Sequence, residues 1–326
     1  MSNHQTKLKN IIADLKLDYE DLLYSGVNSK VHILRNDSEK FILKIFNHMN
    51  KNSNLRLQRE VSALSFLNIN SIENIPKLIS HSFEKSFILT SFLNGKKIKS
   101  FSKSYIPQII DFNLSLRKSN SLSNSLKIED ASESFLQMYK FLNTLDLKFK
   151  SINKNISNSK ICEVSINDFL KYLYSDFKDY FRIYCKDSNF KEYLINEKQI
   201  FSQSDVGIHN CLDNNNKLLF FDFEHSGWDD PAKQLADWIL RPNSNIKNID
   251  SLNLLICFCE NWHDKDLHTR IKRILPLINI KWILIRLAIG FSNKVENKND
   301  YLNPEMNLEL YYEGKSKIDF ISDNFS

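Results

Sequence analysis

The chain has 326 residues, which is long enough for one large domain or two lobes, and 42% of them are hydrophobic, enough for a sizeable core. Its 44 lysines and arginines exceed its 39 aspartates and glutamates by a net charge of only +5. A surplus this small, without a nucleic-acid-binding motif, argues against a nucleic-acid-binding protein, although it allows an anionic small-molecule ligand.

The five cysteines are odd in number and none forms a CxxC pair: Cys162, Cys185, Cys211, Cys257 and Cys259. We therefore expect free thiols in a reducing compartment. The N-terminus is polar and lacks the apolar run of a signal peptide. The longest apolar stretch, residues 278–291, is interrupted by polar side chains, so we expect a buried helix and not a membrane span. These features predict a cytoplasmic protein without a membrane partner.

The first ninety residues alternate short apolar runs with polar turns. Runs at 31–34 and 41–46 flank a polar turn at 36–38 and predict a β-hairpin. A helix is predicted at 55–67 from its apolar periodicity, and a further strand at 88–93. This part is expected to be a small sheet with one helix.

The rest of the chain is predicted to be mainly helical, which makes the whole an α+β protein. Asp130 and Glu133 have the spacing of a capping box, which predicts a helix that ends near Leu145. A second helix is predicted at 167–184. Two segments rich in serine, asparagine and lysine are expected to be surface loops: 118–125 and 150–160.

The most informative segment is a polar loop followed by a short strand. Asp205 and Asn210 lie five residues apart in the loop, and the apolar run 218–221 leads into Asp222. A loop, a turn and a strand in this order could bring the three side chains around one cation. Two carboxylates and an amide oxygen are hard ligands suited to Mg²⁺, which often takes further ligands from phosphate. The alternative is an Asn- and Asp-rich loop beside a core strand.

These residues stand in three short motifs, which read Q-S-D-V-G-I-H-N, F-F-D-F-E and G-W-D-D-P-A. Their order resembles the signature of the aminoglycoside phosphotransferase and choline kinase family. The resemblance implies a bilobal protein-kinase-like fold, with a β-rich nucleotide-binding lobe at 1–93 and a helical catalytic and acceptor-binding lobe at 94–326. Gln203 and Ser204 replace the usual His-Gly, from which we expect altered packing but retained chemistry.

The resemblance also implies roles for the three polar residues. Asp205 would orient the acceptor hydroxyl and take its proton, while Asn210 and Asp222 would hold Mg²⁺. ATP or GTP is the implied co-substrate, and a small hydroxylated molecule is the implied acceptor. We expect in-line transfer without a covalent enzyme intermediate, by a monomer or homodimer.

Lys44 is the candidate phosphate-binding residue of the N-terminal lobe. Strand alternation places it on one face with Ile42 and Phe46. A lysine flanked by apolar side chains needs a partner, and the α- and β-phosphates of ATP would serve. Glu60, in the predicted helix, could pair with Lys44 and fix its orientation. The alternative is a solvated lysine on an edge strand.

Two further segments resemble nucleotide-binding parts of the family. Residues 25–30 lie where such kinases carry a phosphate-covering turn, and the Ser29 hydroxyl could contact phosphate; an ordinary hairpin turn is the alternative. Residues 88–95 resemble the inter-lobe linker, which implies adenine hydrogen bonds to the Ser91 carbonyl and the Leu93 amide.

The segment that follows Asp222 contains four residues that could face the acceptor: Glu224, His225, Trp228 and Asp229. Trp228 could stack on a sugar ring or belong to the core, and Asp230 is expected to brace the catalytic loop. The last third of the chain is mixed to basic, which argues against the acidic pocket that an aminoglycoside needs. A sugar, a sugar phosphate or another metabolite alcohol is favoured, and an amino alcohol such as choline stays open.

A non-catalytic pseudokinase that binds nucleotide or a protein partner is the alternative function. Gln203 and the sparse glycine of the turn at 25–30 favour it. The joint presence of four residues argues against it: Lys44, Asp205, Asn210 and Asp222. A protein kinase is disfavoured by D-F-E in place of D-F-G and by the missing A-P-E motif.

Overall fold

The computed structural model describes most of the chain: residues 3–26, 28–47, 53–117, 127–158, 164–186, 191–242, 244–292 and 297–325. In chain order its elements are α1 (Asn3–Leu15), β1 (Asp18–Ser25), β2 (Ser29–Arg35), β3 (Lys40–Phe46), α2 (Ser53–Ile69), β4 (Leu78–Ser82), β5 (Phe87–Ser91), β6 (Lys96–Lys97), α3 (Ile106–Ser115), α4 (Met138–Asn158), α5 (Val164–Tyr184), β7 (Ile200–Ser202), β8 (Cys211–Asn214), β9 (Lys217–Phe220), β10 (Gly227–Asp229), α6 (Pro231–Leu240), α7 (Asn248–Trp262), α8 (Leu267–Gly290), α9 (Lys298–Leu302) and α10 (Pro304–Asn324).

The described residues form two compact units. The first draws on Met1–Ile98, Ser121–Glu129 and His209–Gly227, and the second draws on Lys99–Asn120, Asp130–Ile208 and Trp228–Ser326. The first contains an antiparallel sheet from the N-terminal part of the chain, and the second is mainly helical. The predicted α+β class, with an N-terminal sheet and a larger helical C-terminal part, is confirmed.

A five-stranded antiparallel sheet forms the body of the first unit, in the order β1-β2-β3-β5-β4. The predicted hairpin is β2–β3, whose last pair is Arg35 with Lys40. The Asn36 side-chain oxygen accepts hydrogen bonds from the amides of Ser38 and Glu39, at 2.9 and 2.7 Å. This local bonding of an asparagine closes the turn that the sequence predicts.

The central strand β3 is covered on both faces. Leu43 and Ile45 belong to the apolar cluster that also contains Ile11 of α1, a helix that the sequence did not predict. Lys44 lies between them in sequence, so its side chain is on the opposite face, and it is buried as well. The strand therefore holds a charged residue where water has little access.

Two further elements of the first unit follow the sequence prediction closely. Helix α2 extends the predicted helix by two residues at each end. Strands β8 and β9 form a hairpin in which Asn215 and Asn216 have φ angles of 53° and 66°. Asparagine tolerates this left-handed backbone, and two such residues make the tight turn that suits twisted strands.

The second unit is built around two buried helices. Every residue of α6 is buried, and α8 packs against it. The apolar stretch at 278–291 lies almost entirely within α8, where Ile278, Leu284 and Leu287 are fully buried. The predicted buried helix is thereby confirmed. Helix α5 likewise contains the helix predicted at 167–184.

The prediction that a helix begins after Asp130 is wrong. Asp130 forms a parallel β-bridge with Trp228, and Glu133 has a left-handed φ of 58°, which a helix cannot accommodate. The Glu133 carboxylate pairs with Lys148 at 2.6 Å and so does not close a capping box. Helix α4 begins only at Met138.

The surface loop predicted at 150–160 is also wrong over its described part. Helix α4 continues to Asn158, because Phe149, Ile152 and Ile156 recur at helical spacing and are buried. The polar residues between them occupy the outer face of the helix. The other predicted loop, at 118–125, lies outside the described residues.

The described cysteines are free thiols, as the sequence predicts: Cys185, Cys211, Cys257 and Cys259. Cys162 lies outside the described residues. Over the described part of the chain, no helix is both long and apolar enough to cross a membrane.

Candidate active site

The centre of the first unit is an ion cluster around Lys44. Its Nζ atom lies 2.8 Å from a carboxylate oxygen of each of Glu60, Asp222 and Glu224. Lys44 is only 8% exposed and Glu60 only 6%. The expected pairing of Lys44 with Glu60 is therefore present, and two carboxylates from residues 222–224 share the same ammonium.

Local sequence explains why these groups meet. Lys44 pairs across β3 with Val31 on one side and Ile88 on the other, so its backbone is fixed by the sheet. Its Nζ also lies 5.1 Å from the ring centre of Phe46, two residues along the same face. Glu60 is buried on the apolar face of α2, which brings its carboxylate to the sheet.

The cluster shifts the acidity of its members. Burial disfavours a charged lysine, but Asp222, Glu60 and Glu224 outweigh it and raise the pKa of Lys44 well above its usual value. Burial raises the pKa of Glu60 to about 7, although Lys44 acts in the opposite direction. For Glu224, burial is overcome by Lys44 and by hydrogen bonding, which hold its pKa well below the usual range.

Asp222 and Asn210 lie on neighbouring backbone segments. Asn210 ends a short 3₁₀ turn just before β8 and is buried, and its carbonyl accepts a hydrogen bond of 3.1 Å from the amide of Phe221. Asp222 follows β9 and has a φ of 66°, an unusual left-handed backbone for a residue other than glycine. Such backbone outliers concentrate at functional sites.

Helix α2 is tied to the segment that follows Asp222 by two arginines. Arg56 donates a hydrogen bond to Glu224, and Arg59 donates to the carbonyl of Ser226 at 3.2 Å. His225 Nε2 lies 3.5 Å from Glu224 Oε1, the oxygen that also accepts from Arg56, whereas Glu224 Oε2 pairs with Lys44. Glu224 is thus held by its neighbours, a role that the sequence could not show because α2 and residues 224–226 are far apart in the chain.

The residues expected to contact nucleotide also lie in the first unit. Ser29 begins β2 and is buried, and its carbonyl accepts a hydrogen bond of 2.9 Å from the amide of Gly26. Ser91 ends β5, where its amide donates to the carbonyl of Lys77 at 2.9 Å. Leu93 lies two residues beyond that strand. Val27, in the middle of the turn at 25–30, lies outside the described residues.

Asp205 belongs to the second unit, in the loop that follows β7. Its amide donates to the carbonyl of Gln203 at 2.9 Å, and the preceding Ser204 has a left-handed φ of 67°. The Ser204 hydroxyl donates to the carbonyl of Ser132 at 2.9 Å. Gln203 is 1% exposed, so the residue that replaces the usual histidine is packed inside the unit.

The Asp205 carboxylate accepts a hydrogen bond from Arg241, a residue that the sequence analysis missed. Arg241 directly follows α6, and its guanidinium carbon lies 4.7 Å from the ring centre of Trp282 in α8. No local motif marks Arg241, since an arginine at a helix end is common. The only available signal is its position after the D-P-A helix.

Trp228 and Asp229, two of the residues expected to face the acceptor, are buried in the second unit. Trp228 is 8% exposed and packs edge-on against Phe201. Asp229 is fully buried, accepts a hydrogen bond of 2.6 Å from the amide of Phe135, and pairs with Lys233 at 3.0 Å. In these positions both side chains support the packing around α6.

Asp230 caps α6 and anchors α8. One of its oxygens accepts from the amide of Ala232 at 2.9 Å, which is N-cap bonding. Both oxygens accept from Arg270, at 2.7 and 3.1 Å. Burial raises the pKa of Asp230, although Arg270 opposes the shift.

No family model and no curated protein sequence matches this chain. Solved structures do match it over nearly its whole length. A choline kinase from Cryptosporidium parvum Iowa II has a TM-score of 0.65 at 11% identity, and covers 95% of this chain and 91% of its own. The chain has the fold of these phosphotransferases.

Two further structures have the same fold. The ADP-bound aminoglycoside phosphotransferase APH(2'')-Ib matches with a TM-score of 0.62 at 13% identity, covering 98% of this chain and 99% of its own. The choline kinase LicA from Streptococcus pneumoniae matches with a TM-score of 0.61 at 15% identity, with 98% and 99% coverage. The structural neighbours are therefore of the kind that the motifs resemble.

Proposed function

We propose that this chain is a Mg²⁺-dependent phosphotransferase that moves the γ-phosphoryl group of ATP or GTP to a hydroxyl of a small molecule. The observation that carries the proposal is the ion cluster of the first unit, in which Lys44 contacts Glu60, Asp222 and Glu224 at 2.8 Å each. A strand lysine, a helix glutamate and an aspartate after a hydrophobic strand are the phosphate-binding parts that phosphoryl transfer uses.

Lys44 would bind the α- and β-phosphates of the nucleotide. Its raised pKa keeps the ammonium charged at neutral pH, and Glu60 holds it in one orientation. The phosphate oxygens would take the hydrogen bonds that Lys44 now gives to Asp222 and Glu224. Because the ammonium is buried, its contact with phosphate is weakly screened by solvent.

The carboxylates around Lys44 fit a divalent cation. One oxygen of each of Glu60, Asp222 and Glu224 lies within 4.8 Å of the others, and hard oxygen ligands are those that Mg²⁺ prefers. We assign Asp222 and Asn210 to hold the metal, with Glu224 as a third candidate ligand. Mg²⁺, when bound, would neutralise the charge of the nucleotide phosphates.

Asp205 would act on the acceptor. Its carboxylate would accept a hydrogen bond from the acceptor hydroxyl, aim that oxygen at the γ-phosphorus, and take the proton as the new P–O bond forms. The bond from the γ-phosphorus to the oxygen that bridges to the β-phosphate would break in the same step, and ADP or GDP would leave. The bond to Arg241 fixes the orientation of the carboxylate. Gln203 is buried within the unit that carries the loop, which is compatible with retained chemistry.

The test is acceptor-dependent consumption of ATP or GTP by the purified protein with Mg²⁺, screened against pools of sugars, hydroxy acids, amino alcohols and aminoglycosides. We expect turnover with at least one pool, its loss on chelation, and a fall of about a hundred- to ten-thousandfold in Asp205→Asn. Asp168→Asn is the control, because Asp168 is exposed and pairs only with Lys171 among the described residues. Tight binding of Mg²⁺-nucleotide without turnover on any pool would instead favour a pseudokinase.

A further inference from the structure

The side chain next to Asp205 carries information about the acceptor. Arg241 is fixed at two points: its amide donates to the carbonyl of Asp237 at 3.2 Å, and its guanidinium lies 4.7 Å from the ring centre of Trp282. Trp282 is 8% exposed, so it is a rigid platform. Stacking of this kind orients the plane of an arginine.

The Arg241 guanidinium has more N–H donors than the one that it gives to Asp205. Its Nη1 atom donates to Asp205, and within the described part of the chain no other residue accepts from the guanidinium. The Arg241 side chain is 22% exposed, so a small solute can reach it. The remaining edge, with Nε and Nη2, has the geometry that pairs with a carboxylate or a phosphate through two parallel hydrogen bonds.

Helix α8, which carries Trp282, also carries a second arginine. Arg286 lies four residues after Trp282 in α8, which places both on one face about one turn apart. Its Nε donates to the side chain of Asn307 at 3.0 Å, and its other described acceptors are a backbone carbonyl and a methionine sulfur. These partners are neutral, so the charge of Arg286 is not compensated among the described residues.

We propose that the acceptor carries a carboxylate or a phosphate close to the hydroxyl that Asp205 activates, and that Arg241 binds this anion. This proposal rests on the proposed phosphotransferase function. A hydroxyl bonded to Asp205 lies within a few ångströms of the Arg241 guanidinium. An anionic group one or two carbons away meets the open edge of the arginine, whereas an ammonium group at the same place is repelled by it.

The proposal separates this chain from the structures that share its fold. Choline and aminoglycosides are cations, and those are the acceptors named for the neighbouring structures. Arg241 places a positive charge beside the catalytic carboxylate, where a cationic acceptor would be disfavoured. A hydroxy acid and a sugar phosphate offer the same anionic chemistry, and they are distinguished by experiment.

The experiment compares acceptors of similar skeleton that differ in one charged group. One series is glycerol, glycerate, glycerol phosphate and aminopropanediol; the other is glucose, glucuronate, glucose phosphate and glucosamine. Phosphoryl transfer from Mg²⁺-ATP is measured for each, together with the thermal stabilisation that each compound gives to the protein. We expect the anionic members to have kcat/KM values at least about tenfold above the neutral ones, and the cationic members to be poorest.

Variants of Arg241 then test whether this side chain causes the preference for anionic acceptors. In Arg241→Gln we expect KM for the anionic acceptors to rise about ten- to hundredfold, with a much smaller change for neutral acceptors. Arg241→Lys should restore part of the affinity, because it keeps the charge but loses the paired hydrogen bonds. The matched control is Arg117→Gln, which removes another stacked arginine of the second unit, 4.3 Å from the ring centre of Trp262, and should leave acceptor preference unchanged.

Three outcomes would overturn the proposal, and a fourth would overturn the proposed function on which it rests. A wild-type preference for cationic or neutral acceptors would contradict it and leave the kinase intact. An equal loss for all acceptor classes in Arg241→Gln would reduce Arg241 to a positioning residue for Asp205. If Arg117→Gln and Arg241→Gln changed the acceptor preference equally, the stacking of Arg241 on Trp282 would have only a structural role. Absence of transfer to every compound would refute the proposed function, and the thermal shifts would then show whether the anion site fails as well.

Discussion

Lys44 concentrates the electrostatics of the first unit in one ammonium group. Three carboxylates approach it at 2.8 Å, and two of them, Glu60 and Glu224, are buried. A buried carboxylate without a cationic partner is costly, so the lysine stabilises the fold in addition to its proposed role in phosphate binding.

Replacing Lys44 by methionine is expected to destabilise the protein by about 3 kcal/mol, because it leaves buried carboxylates facing one another. It should also lower phosphoryl transfer at least about a hundredfold, since a charged contact with the phosphates is lost. Lys40→Met on the same strand is the control: its pair with Glu20 is exposed and is worth about 1 kcal/mol or less. Urea unfolding and the transfer assay measure the two effects, and equal stability changes in both variants would contradict the ion-cluster argument.

Glu60 makes stability depend on pH. Burial raises its pKa to about 7 in the folded protein from 4.5, so the folded state holds a proton that the unfolded chain has lost across that window. The contribution of Glu60 to stability is therefore full below pH 4.5 and falls as pH rises through 7. Glu60→Gln removes this titration, so its stability relative to wild type should rise with pH, by at most about 1.4 kcal/mol per pH unit.

Urea unfolding at several pH values, with chelator and without nucleotide, measures this difference. Glu20→Gln, which alters an exposed carboxylate on β1, is the control for a general effect of removing a negative charge. The pKa values of Glu60 in the unfolded and folded states set the informative range at about pH 5 to pH 7. If the free energies of unfolding of Glu60→Gln and wild type differ by a constant amount across that range, the raised pKa of Glu60 is refuted.

Among single residues, the sequence predicted those that stand in a local motif. Lys44 could be found because a lysine interrupts an apolar strand, and Asp222 because it follows one. Glu224 was considered only as an acceptor contact, and its bonds to Lys44 and Arg56 depend on chain folding. Arg241 meets Asp205 from a position 36 residues away, and no periodicity or spacing signals that contact.

Elements whose residues alternate or repeat cleanly were the predictable ones. The β2–β3 hairpin and α2 follow from apolar patterns and an Asx turn within a few residues. The start of α4 did not follow, because contacts of Asp130 and Glu133 with distant residues override a local capping signal. The end of α4 was missed because three buried apolar residues were hidden among polar ones.

The N-cap of α6 offers a test at the scale of an element. Asp230→Ala removes the cap and the two hydrogen bonds that Asp230 accepts from Arg270, so we expect the free energy of unfolding to fall by about 3 kcal/mol. Asp230→Asn keeps a cap acceptor but not the charge, so its stability should lie between those of Asp230→Ala and wild type.

Helix α10 provides the matched control for this cap. Asn303 caps it by accepting from the amide of Met306 at 3.1 Å, and a proline follows the cap in both helices. Asn303→Ala should cost about 1 kcal/mol, the usual worth of a cap alone. Thermal unfolding of the three variants measures the difference, and equal losses for Asp230→Ala and Asn303→Ala would show that the Arg270 bonds contribute nothing.

The molecule as a whole divides the proposed chemistry between its two units. The residues assigned to phosphate and metal belong to the first unit, and the assigned base belongs to the second. The fold matches phosphotransferase structures at only 11–15% identity. At that level most positions keep little more than an apolar or polar pattern, so the short motifs were recognisable while the remaining sequence was not.

The most direct test of the central claim is transfer of a labelled γ-phosphoryl group from Mg²⁺-ATP to an alcohol. We expect label in an acceptor product with wild type, and a rate of labelling at least about a hundredfold lower with Asp205→Asn or with Asp222→Asn. Asp205→Asn should still bind Mg²⁺-ATP, whereas Asp222→Asn should bind it more weakly. The control is Asp213→Asn in β8, whose side chain accepts from the amide of Asn216 in the hairpin turn, and it should behave as wild type. Label in product with Asp205→Asn at the wild-type rate, or no binding of Mg²⁺-nucleotide by wild type, would contradict the account.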